Sequence, residues 1–291
     1  MPQVSANGIQ LEYDTFGSDD QRPLLMIMGL GAQMTRWPEP LCQGLAASGH
    51  YVIRFDNRDV GLSSRLDAAG MPDIAALTGA VMQGQSPTVP YGLEDMANDA
   101  AALLDALGLD SANVCGASLG GMIAQTMAIH HPAKVRSLIS IMSSTGNREL
   151  PPPTPEAMGA LLSPPATNRA GSIERTVEVA SIIGSPAYPA DPETVRGRAA
   201  ADYDRSFYPI GTARQMAAAT VQQDRRSALA GVTVPALVIH GNADPLVPVT
   251  GGIDTHEALP NSQLWAVDGM GHDLPEPLWP EMIERIAGLS R

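Results

Sequence analysis

The run Gly116-Ala117-Ser118-Leu119-Gly120, extended by Gly121, limits what this chain can fold into more than any other segment. It lies between an apolar stretch, Ala112 to Cys115, and a helical pattern, Leu119 to His131. A strand that enters and a helix that leaves within so few residues require a sharp turn, with the central Ser in a strained backbone conformation. A Cβ on the near neighbours of that Ser would collide across the turn, which is the physical use of the glycines. The same turn points the Ser118 hydroxyl away from the sheet, above the start of the helix. Free amides and the helix dipole there favour developing negative charge. Ser118 is therefore a candidate nucleophile.

The rest of the chain repeats the strand-then-helix rhythm. Gln3 to Phe16 reads as a hairpin, with Asn7-Gly8 supplying the positive φ of a tight turn. Leu24 to Met28 and Tyr51 to Phe55 are short apolar runs, as expected of strands covered on both faces. A helix over Pro38 to Ser48 falls between them. Leu93 to Leu107 carries Leu93, Met96, Ala100, Leu103, Leu104 and Leu107 at helical spacing. Strands at Asn113 to Cys115, Val135 to Met142, Ala236 to His240 and Gln263 to Val267 follow, with helices near Gly252 to Ala258 and Glu276 to Leu289. This alternation predicts an α/β fold with a mostly parallel central sheet flanked by helices. Residues 148–230 break the rhythm: they are rich in Pro and Ala, with short helical patterns and no strand. They are expected to form an inserted helical cap, with residues 1–147 and 231–291 making the core. Ala68 to Pro90 reads as a long loop, and long loops in compact domains are usually functional or mobile.

A serine hydroxyl needs an imidazole to take its proton, and the imidazole needs a carboxylate to hold its tautomer. Of six histidines, His272 follows a strand end within Asp268-Gly269-Met270-Gly271-His272-Asp273, where glycines let a loop carry the ring across the sheet. His240 sits inside an apolar strand and reads as a packed residue. His130 and His131 close a helix, His50 precedes a strand, and His256 falls in a surface helix. Asp244 leaves the C-terminal end of a strand, where α/β sheets place ligand-facing groups. Its plain alternative is a turn-capping Asp before Pro245, and Asp268 is the fallback acid. A developing oxyanion requires fixed amide donors. The N–H of Leu119 follows the nucleophile directly, and the N–H of Leu30, within Met28-Gly29-Leu30-Gly31, is the second candidate. Leu30, Met34, Trp37 and Met122 are candidates for an apolar substrate pocket, with core packing as the equal alternative for each.

The net charge of −13 leaves no basic surface to pair with phosphates, which argues against nucleic-acid partners. It also disfavours anionic substrates and suits a small neutral ester. No apolar run reaches the roughly 20 residues that cross a bilayer, so no membrane partner is expected. Met1-Pro2-Gln3-Val4-Ser5 lacks a basic and apolar leader, and Cys42 and Cys115 fit no metal spacing, so a cytoplasmic protein with reduced thiols, no cofactor and no metal is expected. Nothing in the sequence specifies an oligomeric state.

Taken together, the Gly116–Gly120 turn, the Gly269-Met270-Gly271-His272 loop and the order Ser118, Asp244, His272 resemble the α/β-hydrolase-fold serine esterases over nearly the whole chain. Phe55-Asp56-Asn57-Arg58-Asp59-Val60-Gly61-Leu62-Ser63 is similar to a family stretch in which Gly usually stands at the place of Asp59. That exchange resembles the branch of bacterial carboxylesterases and aclacinomycin methylesterase-like proteins. The resemblance implies that Asp56 and Arg58 pin the oxyanion loop. It also implies that Met28 stands where many relatives carry a supporting His. The activity it implies is carboxylic ester hydrolysis through an acyl-enzyme. The alternatives are a methylesterase or lactonase of a specific secondary metabolite and, in a different class, a non-catalytic small-ligand-binding protein.

Overall fold

The computed structural model describes residues 2–289. The chain opens with strands β1 (Gln3–Ala6) and β2 (Ile9–Phe16), joined at Asn7 and Gly8, both with positive φ (49° and 78°). That pair of angles is what a two-residue hairpin turn demands. Strand β3 (Arg22–Ile27), helix α1 (Glu39–Ala47) and strand β4 (His50–Phe55) follow. Helices α2 (Ile74–Met82) and α3 (Leu93–Ala106) lead to strand β5 (Ala112–Ala117), helix α4 (Leu119–His130) and strand β6 (Val135–Ile141).

Five helices come next without an intervening strand: α5 (Pro155–Leu162), α6 (Arg169–Ile183), α7 (Pro192–Arg205), α8 (Pro209–Val221) and the single turn α9 (Arg226–Leu229). Strand β7 (Ala236–Gly241), helix α10 (Val249–Ala258), strand β8 (Ser262–Val267) and helix α11 (Trp279–Leu289) complete the described residues.

The eight strands form one sheet in the order β1-β2-β4-β3-β5-β6-β7-β8. The two pairings of β2 are antiparallel and those from β4 through β8 are parallel. Side chains alternate between two buried faces. Leu25, Ile27, Ile53, Phe55 and Val114 join Leu103 and Leu104 of α3 and Ile123 of α4 in one core. Leu24, Met26, Val52, Cys115 and Ile139 join Leu41 and Leu45 of α1 and Met282 and Ile286 of α11 in the other. Burial on both faces explains why these strands read as continuous apolar runs.

The connection from β3 goes outward to β4, whereas β5 pairs on the opposite side of β3. The strand order reverses there, and the ends of such strands leave a crevice where open α/β sheets bind ligands. The loop after β3 and Ser118 after β5 both emerge at this point.

The stretch expected to be a long loop, Ala68 to Pro90, contains a helix instead. The Asp73 side chain accepts from Ala76 N at 2.9 Å and caps α2. The helix, apolar at almost every position, rests against α8. Its lack of a polar face hid the period by which a surface helix is recognised, and the neighbouring helix supplies the packing that fixes it.

Candidate active site

Ser118 occupies the turn between β5 and α4 with φ 55° and ψ −121°, a region costly for a residue with a Cβ. The surrounding hydrogen bonds hold it there. Ser118 N donates to Ile141 O at 2.9 Å, while its carbonyl accepts from Gly121 N at 2.9 Å and from Ser143 Oγ at 2.8 Å. The glycines are required by close approach: a Cβ on Gly116 would lie 2.0 Å from Gly120 O, and one on Gly120 would lie 2.0 Å from Ile27 O. These contacts are with backbone, so neither can be relieved by a side-chain rotation.

The loops after β7 and β8 bring the other two groups to this serine. His272 Nε2 is 3.0 Å from Ser118 Oγ, and His272 Nδ1 is 2.7 Å from Asp244 Oδ2. The second Asp244 oxygen accepts from the amides of Leu246 (2.9 Å) and Val247 (2.8 Å). The turn-capping role and the imidazole contact thus belong to the same carboxylate, one oxygen each. Asp268 instead accepts from Asn242 Nδ2 in an exposed setting. His240 is fully buried, lies 2.7 Å from Val247 O through Nε2, and is kept below the ordinary imidazole range by burial.

The histidine loop is clamped by the last residue of α6 and the segment that follows it. His272 N donates to Ile183 O (2.6 Å), Ala187 N to Gly269 O (3.1 Å), and Gly271 N to Ser185 Oγ (2.8 Å). Ser185 Oγ in turn donates to the half-buried carboxyl of Asp273, whose partial burial pushes it above the usual carboxylate range. Nothing in the sequence marks Ser185 for this place.

On the other side of Ser118, Gly29 comes so near that a Cβ there would sit 3.1 Å from Ser118 Cβ. Leu119 is the first residue of α4, so its N–H has no acceptor within the helix. Asp56, fully buried, accepts from Met34 N (2.8 Å) and Leu62 N (2.9 Å) and pairs with Arg205 at 2.7 Å. It ties down Met34, just beyond the β3 loop, rather than the Met28–Gly31 stretch itself. Arg58 corrects the expectation: its guanidinium forks onto Asp99 of α3, with both contacts at 2.6 Å. Asn57 does the bracing instead, through Nδ2 to Met28 O at 2.9 Å. Asp59 adopts φ 66° and pairs with Arg214 of α8, both side chains fully buried.

Among the pocket candidates, Leu30 and Met122 are partly exposed. Trp37 and Met34 are fully enclosed, and Trp37 belongs to the same core as Leu24, Leu41 and Leu45. Neither presents a face to a ligand, so packing accounts for both. The two cysteines are free and buried, and burial pushes the Cys42 thiol up to about 12 and Cys115 higher. Neither offers a thiolate nucleophile.

A doubly covered parallel sheet with a strained serine at its switch point defines the α/β hydrolases, and a family model described as the alpha/beta hydrolase fold matches residues 22–276. The chain belongs to that family. Among curated proteins it is similar to rhodomycin D methylesterase DauP of Streptomyces sp. (strain C5), at 29% identity over 94% of each chain. It is also similar to 3-oxoadipate enol-lactonase 2 of Acinetobacter baylyi, at 25% identity over 90% of this chain and 86% of that one. The enol-lactonase structure from Burkholderia xenovorans LB400 shares the fold, with a TM-score of 0.74 at 20% identity over 99% of both chains. The likeness to bacterial methylesterases expected from residues 55–63 is thus found. No helix among the described residues is long and apolar enough to cross a membrane.

Proposed function

We propose that this protein hydrolyses carboxylic esters through an acyl-enzyme on Ser118, with His272 as general base and acid and Asp244 as its carboxylate partner. The observation that carries this reading is the continuous hydrogen-bonded chain from Ser118 Oγ through His272 to Asp244. Ser118 Oγ attacks the ester carbonyl carbon while its proton passes to His272 Nε2. The tetrahedral oxyanion is held by the amides of Leu119 and Leu30. Collapse breaks the bond to the alcohol oxygen, which leaves with the proton from His272. A water then attacks the acyl carbon, gives its proton to His272, and the acid departs as that proton returns to Ser118 Oγ.

Residues 148–230 act in this reading as a cap that shapes the substrate site, and Leu30 and Met122 line its apolar part. The substrate is a small neutral ester, which suits a net charge of −13. No nucleic acid, membrane, cofactor or metal takes part, and the cytoplasm is the proposed compartment. The methylesterase and enol-lactonase names of the relatives favour esters of a small alcohol, with a lactone as the second reading. In a lactone the alcohol stays tethered to the acyl group, but the attacking and leaving atoms are the same. The test is turnover of short p-nitrophenyl esters, methyl esters and lactones by wild type and Ser118→Ala. Loss of all turnover in a variant whose circular dichroism is unchanged is the expected result. Full turnover in Ser118→Ala refutes the assignment, and an inactive wild type would leave the non-catalytic binding protein in its place.

A further inference from the structure

Helix α8 reaches the loop after β3 through Thr212 and Gln215, three residues apart and so on one face of the helix. Gln215 is fully buried, and its Oε1 accepts from Gly31 N at 2.8 Å. Its Nε2 donates to Arg58 O, also at 2.8 Å. Thr212 lies where a Cβ on Gly31 would have to go, 2.6 Å from that position, and Gly31 itself has φ 62°. The loop therefore fits against α8 only with this residue and this conformation.

Three peptide groups around Leu30 are fixed in succession. Met28 O accepts from Asn57 Nδ2, Gly29 O accepts from Ala32 N (3.2 Å), and Gly31 N donates to Gln215. Because a peptide unit is planar and trans, turning Gly29 O toward Ala32 directs the Leu30 N–H the opposite way. The flanking bonds from Asn57 and Gln215 hold that plane from both ends. Gln215 also grips the carbonyl of the residue after Asn57, so one side chain holds both the loop and its brace.

We infer that Gln215 is a positioning residue for the Leu30 oxyanion donor, so that an inserted helix sets the geometry of the oxyanion site. This rests on the proposed ester hydrolysis. Gln215 touches no reacting atom; it acts by keeping the Leu30 amide aimed at the place where negative charge develops, which preorganised donors must do to be effective. An interaction made only in the transition state changes kcat and leaves KM nearly alone.

The test compares wild type with Gln215→Met, which has no amide, and Gln215→Asn, which is one methylene too short to span both partners. Two quantities are read: ester kinetics, and affinity for an aryl trifluoromethyl ketone, which adds to the serine and places an oxyanion between the same donors. The expected loss in kcat is on the order of 10- to 100-fold, smaller than the roughly 100- to 1,000-fold seen when an oxyanion donor is removed outright. Affinity for the ketone should fall in parallel, with KM within about twofold. Unchanged kcat and ketone affinity overturn the inference, and so does a raised KM with kcat intact. If neither variant folds, amide exchange in the wild type decides: Gly31 should be protected, and exchange as fast as an open loop amide overturns the idea. A wild type that neither turns over esters nor binds the ketone refutes the proposed function; a competent wild type with indifferent Gln215 variants refutes only this inference.

Discussion

Asp244→Asn changes one oxygen to an amide nitrogen and almost nothing in shape, so its effect depends on which way the new side chain turns. In the wild type one oxygen accepts from Leu246 N and Val247 N, and the other from His272 Nδ1 at 2.7 Å. Turning the asparagine NH2 toward the two amides would break two hydrogen bonds, about 0.5–1.5 kcal/mol each even when neutral, and leave the amides facing a donor. Keeping its oxygen on them breaks only the contact to His272. The asparagine therefore presents NH2 to Nδ1, and the imidazole must hold its proton on Nε2 instead. Nε2 then faces Ser118 Oγ as a donor and cannot accept the hydroxyl proton.

A wrong tautomer of this kind costs about 10⁴ in kcat in a serine protease, and we expect a fall of roughly 10³ to 10⁴, or about 4–5 kcal/mol of transition-state stabilisation. The assay is kcat on a p-nitrophenyl ester for wild type, Asp244→Asn and Asp268→Asn, with circular dichroism to confirm folding. Among the described residues Asp268 accepts from Asn242 in an exposed position, away from His272, so its variant should keep near wild-type activity. An Asp244→Asn enzyme with more than about a tenth of wild-type kcat, which is a loss of only about 1.4 kcal/mol, refutes the reasoning. So does an Asp268→Asn enzyme that is equally impaired.

Two further outcomes concern stability. Arg214→Met strands the Asp59 carboxylate with no exposure to solvent and should cost about 3–5 kcal/mol in urea unfolding. Adding Asp59→Gly removes the stranded charge and relieves φ 66°, so the double variant should recover part of the loss; a single variant that loses less than about 1 kcal/mol contradicts the buried-pair account. His50 and His240 are both held below the ordinary imidazole range by burial. Their neutral forms therefore support the fold above about pH 6.5, and that support is lost as pH falls below this value toward their folded pKa. Melting temperature should drop from pH 7 to pH 5, and His240→Gln, which can still donate to Val247 O, should flatten the drop; parallel slopes for the two proteins would refute it.

Much of the architecture was readable along the chain because each signal is local. Asn7-Gly8 specifies its turn through backbone angles, and the paired faces of β3, β4 and β5 show as unbroken apolar runs. Gly116 and Gly120 report a turn too tight for a Cβ. Helix α2 was unreadable for the opposite reason, since its residues have no polar face and it depends on α8. The family resemblance of residues 55–63 implied that Arg58 braces the oxyanion loop. Its side chain, however, turns to Asp99, which lies 41 residues later in the chain, and Asn57 takes the bracing role. Trp37 and Met34 could have lined a pocket or filled the core, and composition cannot choose between the two.

By itself, the sequence determined the strained serine turn, the parallel sheet around it, and the order in which serine, carboxylate and imidazole arrive. These follow from backbone sterics and apolar periodicity, which act over a few residues. Only the tertiary structure decided that Asp244 rather than Asp268 faces His272, that Ser185 clamps the histidine loop, and that Gln215 holds Gly31. Each of those choices is a hydrogen bond lasting a few ångströms between segments 28 to 184 residues apart. Such bonds depend on where whole elements come to rest, and no local pattern encodes that.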